Sequence, residues 1–483
     1  MLFQYAVNWW SRPAGGREVL FITVPMIISS GSWAIMNFAD RVMLTWYSGN
    51  TAGLFSQTGD SSGIAAATAA AAGAGSLYLV IMSLPVGIMM LINAFVAQYH
   101  GAGKPHRIGP IVWQGIFFGM ILMPLYVLAE PVLTAAFFTM KHDPGLIGLE
   151  KCFLHFALYG AGAQISAEAI AAFFIGRGKM RMVMMINIAA DVFNILLDSL
   201  LIFGHFGLPE MGIGGASLAT TICMWFRFLA FLTWMFVVNG RHDRFRVLQG
   251  CRINVPLIRR LFRFGLPGGL EYALEATGFS AFIMLMGTIS PQTLAATSIA
   301  FNLNALCFLP LVGMGLAVMS IVGRYLGENK PELAQRATLT ALTLGTVSNG
   351  FFVLLFLFFP NQLLYAYMMF GDPEEFAPLH NMTVVILRFM AVYLLFDGIN
   401  IIFMSAVKGA GDTLYLLIVT LMMTPLLIVL CYLSIKLGFG VYACWTIFTV
   451  WICVFAGTFC VRFFRGKWKS MRVIEQDYIA EDV

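Results

Sequence analysis

Runs of about twenty apolar residues recur along the whole of this 483-residue chain, and about twenty residues of helix match the hydrocarbon thickness of a bilayer. Nothing else in the sequence restricts the fold so strongly. Inside a bilayer every backbone N–H and C=O must be satisfied within the protein, so runs of this length are helices. A β-barrel would show short alternating strands instead. Composition agrees: 59% of the residues are hydrophobic and 11% are charged, with a mean hydropathy of +0.82. A water-soluble exterior needs more charge than that. The pattern predicts an all-α polytopic membrane protein. Its twelve transmembrane helices are expected near 18–46, 76–100, 108–138, 150–176, 180–204, 213–239, 258–287, 294–325, 336–360, 381–407, 412–436 and 440–464.

The basic residues orient these spans. Arg12 and Arg17 precede the first, Lys104 and Arg107 follow the second, and Arg177, Lys179 and Arg181 separate the fourth from the fifth. Arg241, Arg244, Arg246, Arg252, Arg259, Arg260 and Arg263 fill the central loop. Arg324, Lys330, Arg336 and Lys408 mark later turns on the same side, and Arg462, Arg465, Lys467, Lys469 and Arg472 follow the last span. The opposite loops hold only Lys141, Lys151 and Lys436. Lys and Arg stay on the cytoplasmic side, so both termini and the central loop are expected there. The net charge of +5 thus sets orientation and gives no sign of a nucleic-acid partner. The opening stretch carries no cleavable signal pattern, because the first apolar run, from near Val19, continues into a span. The stretch 47–75 reads as a flexible outer insertion whose Ala-rich end forms a helix resting on the membrane surface. The acidic tail "EQDYIAEDV" is expected to be disordered.

A second pattern is internal. "LPVGIMMLINAFVAQYHGAGKP" at the end of span two echoes "LPLVGMGLAVMSIVGRYLGENKP" at the end of span eight. Gly87, Tyr99, Gly101, Lys104 and Pro105 stand 226 residues before Gly313, Tyr325, Gly327, Lys330 and Pro331. Gly212 with Gly438, and Thr220 with Thr446, keep that separation. Six spans followed by six spans of the same orientation is a parallel duplication, which predicts two lobes about an axis along the membrane normal. The expected divisions are an N-lobe at 1–240, an inter-lobe loop at 241–257, a C-lobe at 258–466 and a tail at 467–483. Pro25 and Pro267 open the first span of each half.

Polar residues within the spans mark function or pairing, because a charge at the bilayer centre costs at least roughly 2.5–3.5 kcal/mol on insertion scales. Span one carries Asp40 beside Arg41. Span five carries Asn187, Asp191, Asn194 and Asp198, spaced four, three and four, which places them on one helical face. With Thr220 of span six they offer carboxylates, an amide oxygen and a hydroxyl, a ligand set suited to a hard cation. Span seven carries Glu271 and Glu275 on one face, and span ten carries Asp397 and Asn400. Glu168, one turn from Gln164, is a weaker candidate. Plainer readings stand beside these. Asp40 could pair with Arg41, Asp191 and Asp198 could be interhelical glue, and Glu271 could be hydrated near a span end. The Met and Phe residues read as packing, although in a cavity they would suit bulky apolar ligands.

No HExxH, GxSxG or Walker motif is present, so neither an enzyme nor a nucleotide-driven pump is expected. The eight Cys are scattered without a CxxC or a Cys/His cluster, which argues against a disulfide framework or a resident metal. No cofactor is implied beyond a coupling ion, because without a nucleotide site the energy must come from an ion gradient, and a buried carboxyl can carry it.

These motifs resemble, in order and spacing, the multidrug and toxic compound extrusion (MATE) transporters. "VPMIISSGSWAIMNFADRVML" is similar to the family's first helix, "FVAQYHGAGKPHRIG" to its second inter-span loop and "GLPEMGIGGASLAT" to its approach to span six. "FRFGLPGGLEYALEATGF" and "FDGINIIFMSAVKGAGDT" resemble spans seven and ten of the NorM-type branch. The resemblance implies twelve helices in two bundles forming a V, alternating access, and export of small amphipathic, often cationic compounds in exchange for Na+ or H+. It implies an N-lobe cation site at Asp40, Asn194, Asp198 and Thr220, a C-lobe acidic pair at Glu275 and Asp397, and bending of the first helix at Pro25. It assigns no role to Glu271. NorM-type members usually have Asn rather than Asp at position 198, so this chain has acidic equipment in both lobes. A monomer in an inner or plasma membrane is expected. The alternative is a lipid-linked oligosaccharide flippase of the same wider superfamily, disfavoured by basic residues that lie mostly in loops.

Overall fold

The computed structural model describes residues 10–47, 63–139, 144–239, 243–370 and 373–475. Among them, twelve helices are long and apolar enough to cross a membrane by length and composition. Spans one to six are Gly16–Leu44, Gly73–Gly101, Pro105–Ala135, Leu146–Ile175, Met180–Phe203 and Gly212–Asn239. Spans seven to twelve are Val255–Ile289, Pro291–Gly327, Pro331–Phe358, Leu379–Ala410, Thr413–Lys436 and Gly440–Phe464. No strand occurs among the described residues. A short helix, Pro360–Phe370, which periodicity does not announce, precedes span ten.

The Ala-rich end of the first outer loop differs from expectation. It is not a separate surface helix, because Gly63–Met90 is one unbroken helix that continues into span two. Two of its alanines are core residues. Ala70 packs with Leu44, Ile202, Ile213 and Ala216, and Ala74 with Ile147, Leu154 and Leu158. Alanine gives both high helix propensity and a thin profile for close helix approach. Residues 48–62 of the expected insertion lie outside the described residues, as do Arg241, Lys141 and positions 476–483 of the acidic tail.

The duplication is visible in the packing. In the first half span four packs against spans two, three and six, and five packs against six. In the second half span ten packs against spans eight, nine and twelve, and eleven packs against twelve. The matched glycines and threonines behave alike. Gly212 and Gly438 both adopt positive φ, 52° and 80°. The hydroxyls of Thr220 and Thr446 each donate to the carbonyl four residues back, at 3.0 and 2.9 Å.

Two compact units emerge, and neither is a simple chain half. One comprises Met1–Ile27, Ala97–Gly103 and Arg263–Val483, and the other comprises Ile28–Val96 and Lys104–Phe262. Specific bonds tie the early segments into the first unit. Gln98, fully buried, donates to Gly409 O at 2.9 Å and accepts from Val473 N at 2.9 Å. Gly101 and Gly327, the matched glycines of the repeat, cross with backbones touching. A Cβ on Gly101 would stand 2.0 Å from Arg324 O, and one on Gly327 would stand 2.3 Å from Gln98 O. Arg324 donates to Glu18, and the Tyr325 hydroxyl donates to the same carboxylate at 2.9 Å. Tyr99, the repeat partner of Tyr325, donates to Glu475 at 2.8 Å. The start of the expected disordered tail is therefore built in. Trp468, with no exposed surface, stacks on Phe463 at 4.9 Å.

Candidate functional site

In the second unit, spans one and five meet through a series of polar rungs. The Asn187 amide donates to Ser29 Oγ at 2.8 Å, Asp191 faces Ser32, and Asp198 faces Asp40. The helical spacing of Asn187, Asp191, Asn194 and Asp198 is what places these side chains along one seam. Span five ends where Gly204, at φ +70°, takes the left-handed conformation and its N–H bonds back to Leu200 O. Asn194 and Asp198 are fully buried and Asp191 is nearly so, whereas Asp40, Asn187 and Thr220 are half-buried. With its amide oriented to satisfy its neighbours, Asn194 donates to Asp198 Oδ2 at 3.1 Å and accepts from Thr220 N at 3.3 Å. The structure brings the expected residues Asp40, Asn194, Asp198 and Thr220 into one neighbourhood. The neighbour Arg41 is exposed and makes no ion pair with Asp40 among the described residues, because consecutive helical side chains point apart.

The chemistry here is constrained. Asp198 Oδ1 is buried without a hydrogen-bond donor, and besides the Asn194 amide Asp198 faces the Asp40 carboxyl. Two carboxyls that face each other in a buried place repel unless a proton or a cation lies between them. Among the described residues no three His, Cys, Asp or Glu side chains are grouped as a metal site. The oxygens of this seam suit a proton or a singly charged hard cation rather than a transition metal.

Sequence reasoning missed one charge beside this seam. Arg227 of span six donates to Glu168 of span four at 3.0 Å, and its charge also reaches Asp191. Gln164, one turn before Glu168, accepts from the Tyr78 hydroxyl at 2.7 Å. A signal was present, since Arg227 lies seven residues, or two turns, beyond Thr220 on the same face.

The first unit holds the other group. Glu271 is 1% exposed and lies 2.7 Å from Lys408 Nζ. The expectation of a hydrated Glu271 gives way to a buried ion pair, and Lys408 is not a loop marker but part of the last turn of its helix. Glu275, one turn deeper and half-buried, feels the charges of Glu271, Lys408 and Asp397. Asp397 is buried and faces Asn400, one turn on. Tyr393, one turn before Asp397, is buried, and its hydroxyl has no hydrogen-bond partner among the described residues. Glu271, Glu275, Asp397 and Asn400 therefore form one polar cluster.

Pro25 sits inside the continuous helix Gly16–Trp46, two residues before the chain passes from one compact unit to the other. A proline there removes one backbone hydrogen bond and weakens the helix. The adjoining Met26–Ile27 backbone rests on span eight at Gly313, where a Cβ would stand 3.0 Å from Ile27 N.

Twelve spans with two separate intramembrane acidic groups define a polytopic membrane transporter as a class. The chain belongs to the MatE family, whose model matches residues 25–200 and 267–433; its relatives are transporters, not enzymes. It is 30% identical to the probable multidrug resistance protein NorM of Bradyrhizobium diazoefficiens, over 82% of this chain and 85% of that protein. It is also 30% identical to the multidrug resistance protein PmpM of Pseudomonas aeruginosa, over 84% and 80%. Its fold matches that of an outward-facing multidrug resistance MATE family transporter of the MOP superfamily, with a TM-score of 0.81 at 18% identity, covering 95% and 97% of the two chains.

Proposed function

We propose that this chain is a secondary-active antiporter that exports small amphipathic, often cationic compounds in exchange for H+ or Na+. The multidrug resistance names of its relatives support the cargo class. The observation behind the coupling is that the Asp40 and Asp198 carboxyls face each other, which makes a place for one shared proton. For Na+ to take that place, the proton must leave, and both carboxylates then bind the ion with Asn194 Oδ1 and Thr220 Oγ1. The Thr220 hydroxyl donates its hydrogen to Ala216 O, which leaves its oxygen lone pairs able to face a cation. Binding drives the cycle only through a difference in affinity between inward-open and outward-open states.

In the second half, Glu275 and Asp397 are the carboxyls with no ion pair among the described residues, and they are the second place for a proton or for a substrate cation. Glu271 is held by Lys408 and does not exchange. The lobes 1–240 and 258–466 alternate by bending of span one at Pro25. The protein works as a monomer in the inner or plasma membrane with both termini cytoplasmic. Three basic side chains within the spans argue against the flippase reading. Arg227, Arg324 and Lys408 are each ion-paired rather than open to an anionic cargo.

The test is dye efflux from proteoliposomes with a proton or a sodium gradient imposed separately. Asp40→Asn and Asp198→Asn should abolish efflux driven by the coupling ion, and Glu275→Gln and Asp397→Asn should weaken export of cationic dyes. Full gradient-driven efflux by Asp198→Asn would remove the carboxyl pair from the mechanism. A folded protein that moves no dye under either gradient would remove the antiporter reading itself.

A further inference from the structure

At the start of span nine lies a cavity of about 360 Å³ lined by Arg12, Glu332, Gln335, Arg336, Thr340 and Thr343. Positions 332, 336, 340 and 343 are spaced four, four and three, so span nine gives the cavity one continuous face. Arg12 comes from the segment ahead of span one. That segment is fixed in place, because the Thr340 hydroxyl donates to Ala14 O at 3.0 Å, and Ala14, at φ 60°, turns the chain there.

The charge in this cavity is unbalanced. Glu332 is engaged by Lys469 at 3.1 Å. Neither Arg12 nor Arg336 is ion-paired among the described residues, and Arg12 Nε is buried without a hydrogen-bond partner. Two guanidiniums sharing one cavity repel each other, and a buried N–H without an acceptor carries a desolvation penalty. An anion between them removes both costs. Guanidinium presents a planar fork that matches tetrahedral oxyanions, phosphate above all. The basic bias of the surrounding loops places this end of span nine at the cytoplasmic surface, where anionic head groups lie.

We propose that this cavity is a binding site for a phosphate-bearing anion, held by Arg12 and Arg336. Two sources share that chemistry, the head group of an anionic phospholipid and a free phosphate. The site lies outside the coupling groups and needs no assumption about cargo.

The full-length protein, purified in neutral detergent, would be probed with phosphatidylglycerol by native mass spectrometry and with inorganic phosphate by calorimetry at constant ionic strength. Arg12→Gln and Arg336→Gln should each weaken binding about tenfold or more, as expected for loss of a charge-assisted hydrogen bond. Arg259→Gln, at an exposed arginine elsewhere on the chain, should leave binding unchanged, and thermal unfolding of each variant would establish that it is folded. Arg336→Lys keeps the charge but loses the fork, and should bind at an intermediate level. Selective retention of phosphatidylglycerol identifies a head group, and saturable binding of phosphate alone identifies a free anion. The proposal is overturned if neither probe binds, if the cavity variants bind both as wild type does, or if Arg259→Gln loses as much.

Discussion

Glu271 and Lys408 illustrate how a single side chain changes meaning with its neighbour. A carboxylate that is 1% exposed is tolerated because an ammonium stands 2.7 Å away. Removing one member leaves the other charge buried without compensation. Glu271→Gln should therefore destabilise the protein by roughly 3–5 kcal/mol, while the double variant Glu271→Gln/Lys408→Gln should regain most of that loss. Thermal unfolding in detergent checks this, and a Glu271→Gln midpoint equal to wild type would mean that the pair contributes nothing. Sequence could list Glu271 as a charge in a span but could not name its partner. Lys408 reads as one of the basic residues that orient a helix end, and only the tertiary structure, which sets it 2.7 Å from Glu271, makes it an internal counter-ion. The seam of span five was legible, because helical periodicity alone puts Asn187, Asp191, Asn194 and Asp198 on one face.

At the scale of elements, the crossing of spans two and eight depends on two glycines. Gly101 and Gly327 let the two backbones touch, and a Cβ on Gly101 would stand 2.0 Å from Arg324 O. A backbone carbonyl cannot rotate away as a side chain can. Gly101→Ala should lower stability by roughly 1–3 kcal/mol or more, as overpacking does. Gly75→Ala, in the same span but with nothing within 4 Å, should be neutral or stabilising. Equal unfolding midpoints for the two variants would contradict the close crossing. The central loop is an ordered element for a different reason. Asp243 accepts from Leu248 N and Gln249 N, each at 3.1 Å. Burial opposes its ionisation, but the Asn239 amide and these backbone N–H groups outweigh it and hold the carboxyl below its usual range.

For the whole molecule, the first spans of the two halves stand apart from the other ten. Neither belongs to the most closely packed helix pairs among the described residues, and each carries a proline near its start, Pro25 and Pro267. Span one changes compact unit just after Pro25. Pro25→Ala restores the missing helical hydrogen bond and removes a local weakness of about 3 kcal/mol. It should slow transport turnover in proteoliposomes while preserving or raising the unfolding midpoint. Unchanged turnover would separate Pro25 from the transport cycle.

The sequence by itself determined the all-helical class, the twelve spans, the duplication and the family, because hydrophobic run length and residue spacing are local properties set by the bilayer and the helical repeat. It also determined which polar residues share a face. Only the tertiary structure decided who meets whom. It gave Arg227 to Glu168 and Lys408 to Glu271, and grouped residues 1–27 and 97–103 with the C-terminal half. Those outcomes depend on which helices pack together, a sum of many small contacts spread over hundreds of residues, and no window of sequence contains that sum.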